Sequence, residues 1–250
     1  MHILDVRIDE VTMDEAKARA QGFLHEKKLH RIFTPNPEIL VAAKRHDSFR
    51  SILNTADLSL CDGKGLSFFS EGKLDRITGV DFMLELLNIA EKEHKSVFLL
   101  GSGNTKTVKK LFDFIQVAYP NLHIAGMHPG PNFFIRKSTI VYKTSEEKRV
   151  NQQVIEEIQR NKPDILFVAF GHEKQEIWID THATELQGVK IAMGVGGAFD
   201  YISGSVRRAP KWLRTAGFEW LYRFFTQPKR FARIITAIII FPYYALIKSR

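Results

Sequence analysis

Six short runs that favour β-strands alternate with segments of helical spacing between residues 14 and 193, and this alternation limits the possible folds most strongly. Several runs are continuous in apolar residues, which is typical of strands covered on both faces of a sheet. Strands that alternate with helices of about 10 to 15 residues predict a parallel sheet flanked by helices. We therefore expect an α/β fold with a Rossmann-like, doubly wound, mostly parallel sheet. The predicted strands are 31–34, 58–60, 96–100, 122–126, 164–170 and 189–193, and the predicted helices are 14–27, 38–54, 81–93, 105–119, 146–160 and 174–185.

Residues 128–147 interrupt this alternation. The segment contains Pro129, Gly130 and Pro131, followed by a mixed stretch without a clean period. We expect a surface insertion or a loop there rather than a regular element.

Polar or glycine-rich turns follow four of the predicted strands, at 34–37, 61–65, 101–105 and 194–200. In open parallel sheets, ligands bind beyond the carboxyl ends of the strands. The sequence therefore predicts that these four turns form the functional site. In the last of them, Gly196 and Gly197 are expected to contact the substrate.

Asp62 lies in the second turn, directly after an apolar run and between small neighbours. A carboxylate in this position can take a proton from an attacking hydroxyl group. Asp is also common in tight turns and at helix N-caps, so a purely structural role remains an alternative.

Two prolines bracket Asn36 in the first turn. Because proline restricts its own φ and the conformation of the residue before it, Thr34 and Asn36 are presented rigidly. Such side chains can bind sugar hydroxyls. An equally plausible interpretation is a helix that begins at Pro37, with Asn36 as its N-cap.

Gly101 and Gly103 follow a strand and precede a helix, an arrangement that suits phosphate binding. A dinucleotide fingerprint is disfavoured, because Lys106 occupies its third glycine position and no acidic residue follows at the expected distance. A nucleoside diphosphate held by backbone N–H groups and a plain strand-to-helix turn both remain open.

The sequence predicts no metal site and no cofactor. It has one cysteine, Cys61, its nine histidines are scattered, and it lacks an H-E-x-x-H or an Asp-x-Asp motif. The N-terminal residues are mixed and charged, which favours a reducing, cytoplasmic compartment. If a nucleoside diphosphate is the leaving group of a reaction, helix N-termini and basic residues must then stabilise its negative charge. The candidates are Arg207, Arg208, Lys211, Arg214, Arg223 and Arg230.

The positive charge is concentrated at the C-terminal end. Of 36 Lys and Arg residues, ten lie between 207 and 250, together with one of the 28 Asp and Glu residues. Aromatic and basic residues fall on different sides of a predicted helix, and the apolar run 234–247, interrupted by Pro242, is too short to cross a bilayer of about 30 Å. We expect residues 1–200 to form the catalytic core and 201–250 an appendage on an anionic membrane surface. Packing on the core or on another subunit of a homo-oligomer is an alternative, and nucleic acid is not an expected partner.

In this order, the motifs of residues 32–230 resemble the WecG/TagA/CpsF glycosyltransferases. The motifs are Thr-Pro-Asn-Pro-Glu at 34–38, Ala-Asp at 56–57, Cys-Asp-Gly at 61–63, Ile-Thr-Gly-Val-Asp at 77–81, Val-Phe-Leu-Leu-Gly at 97–101, Pro-Asp-Ile-Leu-Phe-Val-Ala-Phe-Gly at 163–171, Lys-Gln-Glu at 174–176, Gly-Val-Gly-Gly-Ala-Phe-Asp at 194–200, Val-Arg-Arg-Ala-Pro at 206–210 and Gly-Phe-Glu-Trp-Leu-Tyr-Arg at 217–223.

The resemblance implies an inverting, metal-independent enzyme with a UDP-sugar donor and an undecaprenyl-diphosphate-linked acceptor, acting at the inner face of the cell membrane in cell-surface polysaccharide or teichoic acid synthesis. N-acetylmannosamine is the expected sugar; its uronic acid and glucose are alternatives. The resemblance makes Asp62 the base, Thr34 and Asn36 pocket residues, and Gln175 a contact of the nucleotide sugar. A non-catalytic, membrane-recruited nucleotide-binding protein is a further alternative. The chain departs from the family pattern at Glu173, where proline is common.

Overall fold

The computed structural model describes residues 1–70, 72–210, 212–213, 219–226 and 231–248. Its strands are β1 (His2–Ile3), β2 (Val6–Arg7), β3 (His30–Phe33), β4 (Leu58–Ser59), β5 (Ser96–Gly101), β6 (His123–His128), β7 (Phe133–Arg136), β8 (Thr139–Tyr142), β9 (Ile165–Ala169) and β10 (Ile191–Gly194). The helices of the core are α1 (Met13–Leu24), α2 (Pro37–Arg45), α3 (Asp47–Asn54), α4 (Lys64–Phe69), α5 (Gly79–Lys92), α6 (Thr105–Ala118), α7 (Ser145–Asn161), α8 (Lys174–Thr181) and α9 (Ala198–Ile202).

Six strands form one parallel sheet in the order β4-β3-β10-β9-β5-β6, which confirms the predicted Rossmann-like α/β fold. Neighbouring residues on each strand point to opposite faces, as the two-residue period of a strand requires. On β3, Phe33 joins one buried apolar cluster and Ile32 the other. Both faces are therefore covered, which explains the continuous apolar runs.

The helices divide between the two faces. The cluster that contains Phe33 also takes residues of α2, α3, α7 and α8, and the opposite cluster takes residues of α1, α5, α6 and α9. The chain therefore leaves β3 toward one face, into α2, and leaves the adjacent β10 toward the other, into α9. This divergence opens a crevice between the carboxyl ends of the two strands, where doubly wound folds bind ligands.

Two local predictions are wrong. The predicted helix 38–54 is two helices, because His46 adopts an extended backbone between α2 and α3. The predicted loop at 128–147 contains the antiparallel hairpin of β7 and β8. Lys137 and Ser138 form its two-residue turn, both with positive φ as a type I′ turn requires, and Phe133 anchors the hairpin in the core.

Further helices follow the core: α10 (Glu219–Thr226), α11 (Phe231–Ile235), the π-helical segment Thr236–Ile240, and α12 (Phe241–Lys248). The helical backbone continues past Pro242, which would clash with the carbonyl group of Ile238 in a regular α-helix. The wider π turn changes the backbone hydrogen-bond pattern just before Pro242. The backbone N–H of Phe241 donates to the carbonyl of Thr236, five residues earlier. Among the described residues, no helix combines the length and apolarity needed to cross a membrane.

Helix α11, the π-helical segment and α12 are contiguous and form one C-terminal helix, residues 231–248. One side of this C-terminal helix packs on the core. Phe241 is fully buried and makes an edge-to-face contact with Phe69, with ring centroids 5.4 Å apart. Arg233 forms an ion pair with Glu38 of α2 at 2.5 Å. Helix α10 is held separately, through Glu219 and Arg76 at 2.8 Å.

We expect Phe241→Ala to lower the free energy of unfolding by about 3 kcal/mol, because it removes a fully buried aromatic side chain. Urea denaturation measures the loss, and limited proteolysis with mass spectrometry locates it in residues 231–248. Leu246→Ala, at a side chain that is 59% exposed, is the matched control and should change little. Equal stability of the two variants would contradict the docking of this helix through Phe241.

Candidate active site

A cleft that is partly open to solvent lies at the carboxyl ends of β3, β9 and β10. This is the crevice that the strand connections create. Its described lining consists of Thr34, Asn36, Ile39, Asp62, Gly79, Val80, Gly171, His172, Gln175, Val195, Gly196, Gly197, Ala198, Tyr201 and Arg233.

The loop that carries Asp62 is fixed against the turn after β3. The backbone N–H of Asp62 donates to the carbonyl of Pro35 at 2.9 Å. Gly63 has φ of +128°, and a methyl group there would lie 3.2 Å from the ring of Pro37, so this close approach favours glycine. Gly63, and not Asp62, is the N-cap residue of α4, and no side-chain cap bond occurs there. The N-cap alternative for Asp62 is therefore wrong.

Thr34 and Asn36 enter the cleft from β3. Thr34 is buried beside Gly79, where an added methyl group would lie 3.2 Å from the threonine hydroxyl oxygen. Asn36 is the N-cap of α2, and its side-chain oxygen accepts a hydrogen bond from the backbone N–H of Ile39 at 3.0 Å. The predicted helix start at Pro37 is thus confirmed, and the same asparagine also lines the cleft.

Gln175 links α8 to the turn after β10. Its side-chain oxygen accepts a hydrogen bond from the backbone N–H of Gly196 at 2.8 Å, and its side-chain nitrogen donates to Glu176 at 2.8 Å. Burial raises the pKa of Glu176 to about 7, although the hydrogen bond from Gln175 lowers it in part. Gly196 and Gly197 line the cleft beside this amide.

Gly101 and Gly103 are not brought into the described lining of the cleft. A methyl group on Gly101 would lie 2.6 Å from the carbonyl carbon of Ala169, so this glycine permits close packing of β5 on β9. The N–H groups of Ser102 and Gly103 donate to the carbonyls of Ala169 and Pro129. These two donors are therefore engaged within the protein, and the geometry favours the plain-turn alternative.

The predicted arginines have different positions. Arg208 is bound to Asp81 at 2.6 Å and to Thr78 at 3.1 Å, at the start of α5 and next to the lining residues Gly79 and Val80. Arg207 is exposed and is not part of the described lining. Arg223 belongs to α10 but its side chain lies outside the described part of the chain, as does Arg214 altogether.

Three polar side chains of the described cleft lining were not predicted as site residues: His172, Tyr201 and Arg233. His172 follows β9, and the rule that ligands bind beyond strand ends applied to that strand as well. Tyr201 lies on α9, just after the predicted turn 194–200. Arg233 belongs to the basic tail, but only the folded chain shows that it reaches the cleft.

The cleft combines one carboxylate, Asp62, with one guanidinium, Arg233, among its described lining residues. The described residues contain no group of three or more His, Cys, Asp or Glu side chains that could hold a metal ion. A carboxylate and a cation on a polar, partly enclosed surface suit a reaction in which a proton is removed and an anion leaves.

The model of the Glycosyl transferase WecG/TagA/CpsF family matches residues 1–250. The chain belongs to this family. It is a glycosyltransferase. Among similar proteins are relatives from Staphylococcus aureus strains NCTC 8325, COL and N315, each 33% identical over 247 residues, which cover 96% of this chain and 90% of the relative. Each is named N-acetylglucosaminyldiphosphoundecaprenol N-acetyl-beta-D-mannosaminyltransferase.

This WecG/TagA/CpsF glycosyltransferase has an unusual backbone at Glu173, the position at which the family resemblance led us to expect proline. Glu173 has φ of +64° at the start of α8. The proline ring fixes φ near −65°, so proline cannot adopt this conformation. The approach to Gln175 in this chain therefore differs from one that a proline would give.

The raised pKa of Glu176 predicts a pH-dependent stability. Between pH 4.5, the ordinary value, and about 7, the folded state binds more protons than the unfolded state, so the free energy of unfolding falls as pH rises. The loss is at most roughly 3 kcal/mol and is complete above about pH 7. Glu176→Gln removes the titration, so urea denaturation should show the variant gaining stability relative to the natural protein from pH 5 to pH 8. If the difference in the free energy of unfolding between the two proteins stays the same from pH 5 to pH 8, burial of an ionisable Glu176 is contradicted.

Proposed function

We propose that this enzyme transfers N-acetylmannosamine from a UDP-sugar to N-acetylglucosamine carried on a polyprenyl diphosphate, with inversion at the anomeric carbon. The names of the S. aureus relatives support the transferred sugar and the acceptor. The observation that carries the proposal is the single cleft that unites Asp62, Gln175 and Arg233 from three separate parts of the chain.

In the proposed reaction, Asp62 accepts the proton of the acceptor hydroxyl while the oxygen of that hydroxyl attacks the anomeric carbon. The bond from that carbon to the diphosphate breaks, and UDP leaves from the opposite side of the sugar. Positive charge that develops on the ring resembles that in glycoside hydrolysis. In this proposal, Thr34 and Asn36 contact the sugar, and Gln175 holds the nucleotide sugar.

We propose that arginines of the C-terminal region neutralise the negative charge of the departing diphosphate. Arg233 supports this assignment because it lies in the cleft, and its ion pair with Glu38 holds it there. Arg207, Arg208, Arg214 and Arg223 are further candidates of the same proposal. Guanidinium groups bind phosphate oxygens in a bidentate manner, so such a set can replace a divalent cation.

We further propose that residues 201–250 form an appendage that rests on the inner face of the cell membrane. The C-terminal helix has an exposed apolar side opposite the side that packs on the core. Its exposed residues are Ile238, Ile239, Tyr243, Leu246 and Ile247. A helix with one side packed on protein and an apolar side facing outward suits burial at the lipid boundary.

Asp62→Asn should lower kcat by a factor of about 10² to 10⁴, because the neutral amide cannot accept the proton of the acceptor hydroxyl. UDP release is measured with UDP-N-acetylmannosamine and a synthetic lipid-linked N-acetylglucosamine. Asp113→Asn, an exposed carboxylate on α6, is the matched control and should retain normal activity.

Full activity of a folded Asp62→Asn variant would remove Asp62 from the role of base. Donor binding by the natural protein without any turnover would instead favour the non-catalytic nucleotide-binding alternative.

Membrane binding is tested by the double substitution Ile239→Asp with Leu246→Asp. Each side chain is more than half exposed, so folding should survive, while binding to vesicles of phosphatidylglycerol and phosphatidylcholine should weaken at least about tenfold. Val117→Asp changes an 84% exposed apolar residue on α6 and should leave sedimentation with vesicles unchanged. Normal vesicle binding by the double variant would contradict this assignment of the helix.

A further inference from the structure

Glu176 is a fully buried carboxylate to which the proposed reaction gives no role. It lies in the first turn of α8, next to the buried Ile177 and Trp178. One of its oxygens accepts the hydrogen bond from Gln175, and the other has no hydrogen-bond partner among the described residues.

Such a group costs stability. Removing a carboxylate from water is unfavourable unless its oxygens are fully hydrogen-bonded, and a protein with an apolar side chain of similar size in the same place is often more stable. Packing alone therefore does not account for Glu176. Its one side-chain hydrogen bond among the described residues comes from Gln175, and this contact points to an effect on the neighbouring cleft.

Together, Glu176 and Gly196 fix the orientation of the Gln175 amide. In the observed orientation, the amide oxygen faces the N–H of Gly196 and the amide nitrogen faces the carboxylate. A rotation by 180° would oppose donor to donor at Gly196 and acceptor to acceptor at Glu176. Gly194 leaves room for this arrangement, since a methyl group there would lie 2.8 Å from the amide nitrogen.

One donor and one acceptor of the Gln175 amide are used inside the protein. An amide has two N–H donors and an oxygen with two lone pairs, so one donor and one acceptor remain for a ligand. Because Gln175 lines the cleft, these remaining groups can bind a substrate group that both accepts and donates a hydrogen bond, such as a sugar hydroxyl.

We propose that Glu176 is a positioning residue that acts through Gln175, and that its buried carboxylate orients the amide to bind a hydroxyl-bearing part of the donor. The role of Gln175 toward the donor rests on the proposed function. The orientation of the amide by Glu176 does not.

The kinetic test compares Glu176→Met, Glu176→Gln, Gln175→Leu and the double variant Gln175→Leu with Glu176→Met. Methionine removes the acceptor but keeps an unbranched chain, so KM for UDP-N-acetylmannosamine should rise about tenfold with a smaller change in kcat. Glutamine restores an acceptor at the same place and should recover most of the affinity. The double variant should have the same KM as Gln175→Leu, since Glu176 acts through that side chain.

A matched control separates positioning from stability. Asn151, on α7, accepts a hydrogen bond at 2.7 Å from the indole of Trp178, which lies on α8 as Glu176 does. Neither residue belongs to the described cleft lining. Asn151→Ala should lower Tm and leave KM within about twofold. Glu176→Met should raise KM without lowering Tm, because it removes a costly buried carboxylate. Loss of Tm with an unchanged KM in Glu176→Met would overturn the proposal.

A spectroscopic measurement tests the orientation without substrate. In protein labelled with nitrogen-15 at glutamine side chains, the amide signals of Gln175 are identified by their absence in Gln175→Leu. They should shift in Glu176→Met and stay close to their original positions in Glu176→Gln. Unchanged Gln175 signals in Glu176→Met would overturn the proposal. If Glu176→Met fails to fold, Glu176→Gln decides the test, and a shift of the Gln175 signals in that variant would also overturn the proposal. Absence of turnover by the natural protein would refute the proposed function and leave this test intact.

Discussion

The sheet is covered on both faces, and the position of the active site follows from this constraint. Backbone and polar side chains can meet a ligand only where the strands end, and the chain leaves β3 and β10 toward opposite faces. The cleft between these two ends receives Thr34 from one strand and Gly196 from the other. Asp62 joins them because its backbone is bonded to Pro35 of the first turn. The loop of the base candidate is thus held by the turn that follows the neighbouring strand β3.

A second consequence is that polar groups behind the cleft must satisfy one another, since water does not reach them. Gln175 does this for the turn after β10 by accepting from Gly196, and it requires a partner for its own nitrogen. Glu176 supplies that partner at the expense of a half-satisfied carboxylate. The raised pKa of Glu176 and the fixed orientation of Gln175 therefore have one cause, the low polarity of the region behind the strand ends.

The sequence was sufficient for the sheet because each strand has its own apolar run, and for the glycine-rich turns because they follow those runs. It was less informative where tertiary contacts decide. The hairpin of β7 and β8 was missed although Phe133 to Arg136 and Thr139 to Tyr142 are two short strand-like runs with a two-residue turn, because its prolines suggested a loop. Gly101 and Gly103 matched a phosphate-binding pattern, but their neighbourhood serves strand packing. Arg233 could not be assigned from sequence, since its position depends on how the last helix docks.

Docking of that helix ties its outer surface to the chemistry inside. Phe241 is buried against Phe69, and its ring would lie 3.9 Å from a methyl group on Gly65, in the helix that directly follows the Asp62 loop. One turn earlier than the exposed apolar side, Arg233 lies in the cleft. If that exposed side rests on a bilayer as proposed, the same helix sets the distance of Arg233 and of Asp62 from the lipid surface. The reacting sugar of a lipid-linked acceptor lies at the headgroups, so an enzyme held at that depth can reach it without extracting the lipid chain from the bilayer.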